Sequence, residues 1–379
     1  MLKELGSREV NLTLTKKILD LNWGLVLLIC LTASVGFLML YSAANGDINP
    51  WASRQMIRFA AGMFILFVVA LTDIRIWLRL AYPFYAIALL MLGSVEVMGV
   101  IGMGARRWVE LGPIQVQPSE VMKITLIMAL ARYFHGLDMN EVRRIPWLIP
   151  PLILIAMPAG LVLRQPDLGT TLLLVAGAGI VFFAAGVRLW KFALVIGAAI
   201  PAGFFAYQFL HDYQKKRILI FLNPESDPLG SGYHIMQSKI ALGSGGIFGK
   251  GFVQGTQSHL NYLPEMRTDF IFSMLAEEFG MVGGLALFTL YFMLIAYGFA
   301  IAIRSRNQFG RLLAIGLTGV FFLYFFINIA MVMGLVPVVG VPLPLISYGG
   351  TSMLTLLISF GLIISVYIHR DVYISPRKY

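Results

Sequence analysis

The chain has 379 residues, 58% of them hydrophobic and only 13% charged, with a formal net charge of +10. Soluble domains are nearer a quarter charged, and many apolar runs here reach the roughly 20 residues that cross a bilayer, so a soluble multidomain enzyme is excluded in favour of a polytopic all-α membrane bundle, read as one integral-membrane domain over 1–379. The one cysteine, Cys30, rules out a disulfide framework and Cys-based metal sites, none of the five histidines is paired at i, i+4, and the basic residues sit in short loops rather than along a nucleic-acid-binding stripe.

The segment 12–23 sets Lys and Asp beside Leu and Ile, the pattern of an interfacial helix. Ten spans follow, over 23–41, 56–72, 78–100, 118–134, 147–163, 169–187, 189–210, 282–303, 311–334 and 350–368. The first is too long for the apolar core of a signal peptide and has no cleavage-type ending, so it reads as a retained helix. With the N-terminus in the cytoplasm, the outer short loops carry Arg54, Arg106, Arg107 and Arg164. The inner side carries Lys16, Lys17, Arg75, Arg79, Arg132, Arg143, Arg144, Arg188, Lys191, Arg304, Arg306, Arg311 and others. Such a bias orients the bundle with both termini inside. Between spans seven and eight lies one large extracytoplasmic loop, 211–267, containing "NPESDPLGSGYH" and "SKIALGSGGIFGKGF". Its apolar run Ile218, Leu219, Ile220 and Phe221 rests on the membrane or the bundle.

The polar residues that a membrane protein must justify gather in the outer half. Glu96, Arg106, Arg107, Glu110, Glu120 and Lys123 flank the connection between spans three and four. Arg164 and Asp167 lie in "RQPDLGTT", and Asp269, Glu277 and Glu278 in "LPEMRTDFIFSMLAEEFG". A helix starting at Pro118 puts Lys123 about 8 Å below the surface, where an ionisable group needs a cavity or a partner. Glu120 shares its face at i−3. The two form either a structural ion pair or a cation aimed at an anionic headgroup. Asp269 reads either as a helix cap or as one end of a polar stripe with Ser273 and Glu277, at i, i+4 and i+8, that lines a cavity. Asp167 is open to the same two readings, with Arg164 as a ready partner. The stretch "GVPLPLISYGGTS" (340–352), with Ser347, reads as a re-entrant segment lining that cavity, since irregular backbone at membrane depth must be covered by protein or water. "GSGGIFGKG" (243–251) lacks the spacing and the Ser or Thr of a phosphate loop, and "GMGARRW" (102–108) lacks the third glycine of a dinucleotide site. Both read as turns.

Four stretches in order, "RRWVELGPIQVQPSEVMK", "RQPDLGTTLL", "TQSHLNYLPEMRTDFIFSMLAEEFG" and "PLPLISYGGTSML", resemble the shape, elongation, division and sporulation family over nearly the whole chain. "TQSHLNYLPE" and "ISYGGTSML" lean to its elongation branch. The arginine of "MRTDF" departs from the histidine of many members. The resemblance implies a ten-span peptidoglycan glycosyltransferase of the bacterial inner membrane. Such an enzyme polymerises lipid II through β-1,4 bonds and releases undecaprenyl diphosphate. It implies that Asp269 stands at the essential aspartate, as base or metal ligand. It also implies that Glu120, Lys123 and Asp167 stand at positions linked to activity, that Mg²⁺ or Mn²⁺ takes part, and that a class B penicillin-binding protein is the partner. Arg107, Arg164, Glu277 and Ser347 complete the expected substrate-binding set. Two other readings are a lipid II flippase, which needs polar groups across the whole membrane depth, and a non-catalytic scaffold.

Overall fold

The computed structural model describes residues 13–102, 105–111, 114–209, 215, 219–221, 223, 231–260, 262 and 265–375. In chain order its helices are α1 (Leu14–Leu19), α2 (Trp23–Ala43), α3 (Trp51–Leu71), α4 (Ile74–Met98), α5 (Pro118–His135), α6 (Met139–Val142), α7 (Ile149–Arg164), α8 (Leu168–Ala185), α9 (Leu189–Phe209), α10 (Ser231–Ser244), α11 (Thr256–His259), α12 (Ile271–Arg304), α13 (Gln308–Val332) and α14 (Gly350–Ile368). Eight of them, α2, α3, α4, α7, α8, α12, α13 and α14, are long and apolar enough to cross a membrane. Helices α5 and α9 stand where the other two expected spans fall.

Side-chain caps set several helix starts. Asn22 accepts from Leu25 N, Asp73 from Arg75 N, Asp167 from Thr170 N and Asn307 from Gly310 N. Each satisfies an amide that the first turn leaves unpaired. Helix α4 begins on the Asp73 cap and α3 after Pro50, which makes no cap; both begin before the apolar runs at 56 and 78, because their first turns carry Arg54 and Arg75 and give no hydropathy signal. Helix α1 sits before the bundle, tied to it by Lys17 Nζ, which donates to Leu71 O at 2.9 Å.

Helices α13 and α14 are the most enclosed spans. Helix α13 packs on α5, α8, α12 and α14. Close approach rests on small residues: Gly316 faces Ile127 of α5 and Val181 of α8, and Gly319 faces Ile180 of α8, with no room for a Cβ. Between α12, α13 and α14 the rings of Phe272, Phe288, Phe325, Tyr291, Phe321 and Phe360 follow one another, with centroids 4.6–5.7 Å apart. Offset and edge contacts of this kind add to the burial of the rings.

The all-α expectation needs two amendments. The connection from α4 to α5 is an antiparallel sheet, β1 (Val100–Gly102), β2 (Ala105–Leu111) and β3 (Ile114–Val116), in the order β1-β2-β3. Glu110 pairs with Gln115 across β2 and β3, and Gln115 O accepts from Thr351 Oγ1 at 3.1 Å, which pins the sheet to the start of α14. The sheet pairs backbone groups that a bare loop would leave unpaired. In the long connection after α9, the described part is partly helical, with α10 packed on α12 and α13. The glycine-rich run after α10 is no free turn. Helix α12 breaks at Gly280 (φ 64, ψ −159), and residues 245–251 thread into the break. Lys250 N donates to Glu277 O at 3.0 Å and Gly251 N to Glu278 O at 3.0 Å. On the other side Met281 N donates to Gly246 O at 3.0 Å and Val282 N to Ile247 O at 3.1 Å. A Cβ at Gly245 or Gly249 would strike the carbonyl of Ala276 or Glu278. Gly245 and Gly249 are needed because two backbones touch there. Met103, Gly104, Ile218 and most of "NPESDPLG" lie outside the described residues.

Candidate active site

One end of the bundle gathers the start of α5, the turn before α8, the turn 265–270, the middle of α13 and the segment 338–352 around a cavity of about 240 Å³. Its wall includes Arg107, Glu120, Lys123, Asp167, Asp269 and Tyr324. These acids and bases come from five separate stretches of chain.

Pro118 opens α5 and puts Glu120 in the first turn, where a carboxylate favours the helix dipole. Glu120 is 7% exposed and Lys123 4%, and Lys123 Nζ stands 2.6 Å from Glu120 Oε1. Tyr324 closes the group. Its hydroxyl donates to Glu120 Oε1 and Oε2 (2.8 and 2.7 Å), it accepts from Lys123 Nζ, and its ring lies under that ammonium at 4.4 Å. The ion pair expected from the sequence is made, and the same two residues line the cavity. Burial of both charges is compensated by the pairing and by the phenol.

Asp167 is also both of its readings at once. Oδ1 caps α8 by accepting from Thr170 N at 3.1 Å, and Oδ2 lies 3.4 Å from Arg107 Nε. Arg107 adds a bond from Nη2 to Pro166 O at 3.3 Å. The partner of Asp167 is therefore Arg107 of β2. Arg164, the last residue of α7, is exposed and is not part of the cavity wall.

Asp269 lies in the turn before α12, half-buried, on the cavity wall. The N-cap position of α12 is Phe270, which makes no side-chain cap, and Asp269 stands one residue before it. Asn328 Nδ2 donates to Asp269 O at 3.0 Å, and Ser347 Oγ to Thr268 O at 2.5 Å.

The expected stripe Asp269–Ser273–Glu277 is corrected. Ser273 Oγ meets Ser238 Oγ of α10 at 2.7 Å. Glu277 is 0% exposed and its Oε1 accepts from Lys250 Nζ (2.7 Å), Thr256 N (2.9 Å) and Gln257 N (3.1 Å). It clasps the 250–257 loop. The stripe fails because the helix begins only at Ile271 and the faces of α12 past that point are covered by α10 and the loop. Ser347 is likewise structural, buried at 4% and bonded to Thr268 O and Leu343 N, while its neighbours Tyr348, Gly349 and Gly350 reach the wall. The re-entrant backbone is held by side chains: Gln55 Nε2 donates to Ser347 O at 3.1 Å and Tyr291 Oη to Pro344 O at 2.6 Å.

Tyr324 and Asn328 were missed in the sequence. Their signal was present as two hydrogen-bonding residues at i, i+4 inside the apolar run "FFLYFFINIAM".

Residues 22–372 match the model of the family described as cell cycle protein, FtsW/RodA/SpoVE. The peptidoglycan glycosyltransferase MrdB of Escherichia coli strain K12 is 44% identical over 363 residues, covering 93% of this chain and 94% of that one. A chain from a peptidoglycan synthase complex, solved for the structural coordination of polymerization and crosslinking, superposes with a TM-score of 0.81 at 34% identity, covering 92% of this chain and 98% of that one. The crystal structure of the rod shape determining protein RodA of Thermus thermophilus gives 0.71 at 32%, covering 93% and 98%. With the match running through every element that builds the cavity, this chain belongs to the FtsW/RodA/SpoVE family of cell cycle proteins.

Proposed function

We propose that the cavity is where this chain, a peptidoglycan glycosyltransferase of cell elongation, joins lipid II units into glycan strands. The observation that carries the reading is the convergence on one wall of Asp269 with the Glu120–Tyr324–Lys123 group and the Arg107–Asp167 pair. Counting α5 and α9 as spans gives ten. The Lys and Arg bias then puts both termini in the cytoplasm and the cavity outside, where a lipid-borne sugar arrives.

In this reading Asp269 accepts the proton of the acceptor hydroxyl as its oxygen bonds to the donor's anomeric carbon. The bond from that carbon to the diphosphate oxygen breaks, undecaprenyl diphosphate leaves, and the proton passes on to solvent. Charge grows on the leaving diphosphate. Lys123 stands ready for it, its ammonium already fixed by Glu120 and Tyr324, so no reorganisation is needed at that moment. Arg107, fixed by Asp167, is the second cation.

No three His, Cys, Asp or Glu converge on one point among the described residues. A Mg²⁺ that keeps its waters needs only one or two carboxylates beside phosphate oxygens. The donor set at this cavity fits that kind of ion, which Asp269 would hold in place of its role as base. When bound, it would offset charge on the diphosphate. A class B penicillin-binding protein is the partner we propose, in keeping with the synthase complex that this chain resembles.

Purified protein, alone and with such a transpeptidase, is given labelled lipid II in detergent and in liposomes. Glycan polymer in both settings is expected. Transbilayer movement of lipid II without polymer would replace the reading with a flippase, and neither product would leave a scaffold.

A further inference from the structure

Asn328 sits inside α13 and is 0% exposed. Its Nδ2 donates to Asp269 O at 3.0 Å and Val341 O at 2.7 Å. Both neighbours are carbonyl oxygens, which only accept, so the chemistry of the site fixes which way the amide points. Its Oδ1 is buried without a hydrogen bond. An apolar side chain of similar size would avoid that unsatisfied oxygen, so the residue is suited to its two donor contacts and not to burial as such. Those contacts fall on backbone outside helix and sheet, the 265–270 turn and the re-entrant segment, where side-chain bonds set the position of the chain. One turn earlier on the same face, about 6 Å along the axis, Tyr324 holds Glu120 and Lys123. A single rigid helix thus grips both halves of the cavity.

We infer that Asn328 is a positioning residue for the polymerisation reaction: with Tyr324 it makes α13 the ruler that sets the Asp269 carboxylate against the Lys123 ammonium. The inference rests on the reading of Asp269 as the reacting carboxylate. It concerns alignment between the two groups and not binding of either sugar. Displacement of a reacting group by about 1 Å can cost as much as 100-fold in rate, so the loss belongs in kcat.

The test is steady-state polymerisation of labelled lipid II by the purified full chain with Asn328→Leu, which removes both donors and keeps the volume. Rates are taken per monodisperse molecule, so that a loss of folded protein is not read as a loss of turnover. Asn328→Ala is measured in the same way and replaces the leucine variant if that one does not fold. The expected result is a fall in kcat of about tenfold or more, with KM within threefold of wild type. A kcat within threefold of wild type, or a loss carried by KM, overturns the inference. Asp269→Asn is run beside it. If that variant polymerises normally, the reading of Asp269 falls and the inference with it. If it is inactive while Asn328→Leu turns over normally, only the ruler falls.

Discussion

Asp269 carries the sharpest single-residue expectation. Asn keeps the shape of the side chain and cannot serve as a base. Asp269→Asn is therefore expected to fold, to bind lipid II and to lose about 10²-fold or more of its polymerisation rate. Because Asn caps a helix about as well as Asp, a loss of that size cannot be ascribed to a missing cap. Partial recovery of the variant at raised Mg²⁺ or Mn²⁺ would assign Asp269 to metal holding, and wild-type rates at ordinary metal would remove it from the mechanism. Lys123→Met tests the other half of the cavity. It leaves Glu120 buried with only Tyr324 as partner, so both turnover and stability are expected to drop, the latter by about 3–5 kcal/mol as for other broken buried pairs. The exchange Glu120→Lys with Lys123→Glu restores an ion pair and moves the cation one turn up the helix. Its activity is expected to stay low, and full recovery would make the pair purely structural. Much of this was legible in the residues themselves. Glu120, Lys123, Asp167 and Asp269 stood out because a charge inside or next to an apolar helix has to be compensated. The choice of Arg107 over Arg164 for Asp167 was not legible, because Arg164 is its neighbour in sequence while Arg107 lies far back in the chain, and only the fold of β2 brings Arg107 within 3.4 Å.

At the scale of elements, α12 and the loop threaded through its break behave as one unit. The break frees carbonyls and amides on both sides of Gly280, and the 245–251 loop satisfies them. Glu277 then locks the following residues with a carboxylate whose Oε1 takes four donors, Lys250 Nζ, the amide and hydroxyl of Thr256, and Gln257 N. Glu277→Ala leaves two backbone amides and Lys250 without it. The expected cost is about 1–3 kcal/mol, read as a lower melting temperature in detergent, with affinity for lipid II unchanged. An unaltered melting temperature with lost affinity would return Glu277 to the substrate-binding set. The glycines of this loop were visible in the sequence, but their reason was not. A glycine needed for close backbone approach and a glycine in a free turn look alike until the second strand of chain is in place.

At the scale of the whole molecule, the expectation is topological. Phe248 is 81% exposed on the threaded loop, and Cys30 is the only native thiol. In a Cys30→Ser background, Phe248→Cys should react with a membrane-impermeant maleimide on intact spheroplasts. Reaction only after permeabilisation would turn the bundle over and place the cavity on the cytoplasmic side, away from any wall precursor already exported.

Sequence alone determined the class of molecule, the approximate place of each long apolar helix (though α12 begins at Ile271, ahead of the expected 282) and most of the charged residues of the cavity. Crossing a membrane is a property of contiguous residues, and a costly buried charge announces itself wherever it stands. Only the tertiary structure decided which charges meet. Tyr324 is 204 residues from Glu120 and Asn328 is 59 from Asp269, and such pairs are chosen by how α5, α12 and α13 pack. The same packing withdrew Ser273, Glu277 and Ser347 from the cavity and spent them on holding its walls. A hydrogen-bonding residue in an apolar chain must find a partner, but its neighbours in sequence do not say whether that partner is a substrate or the protein's own backbone.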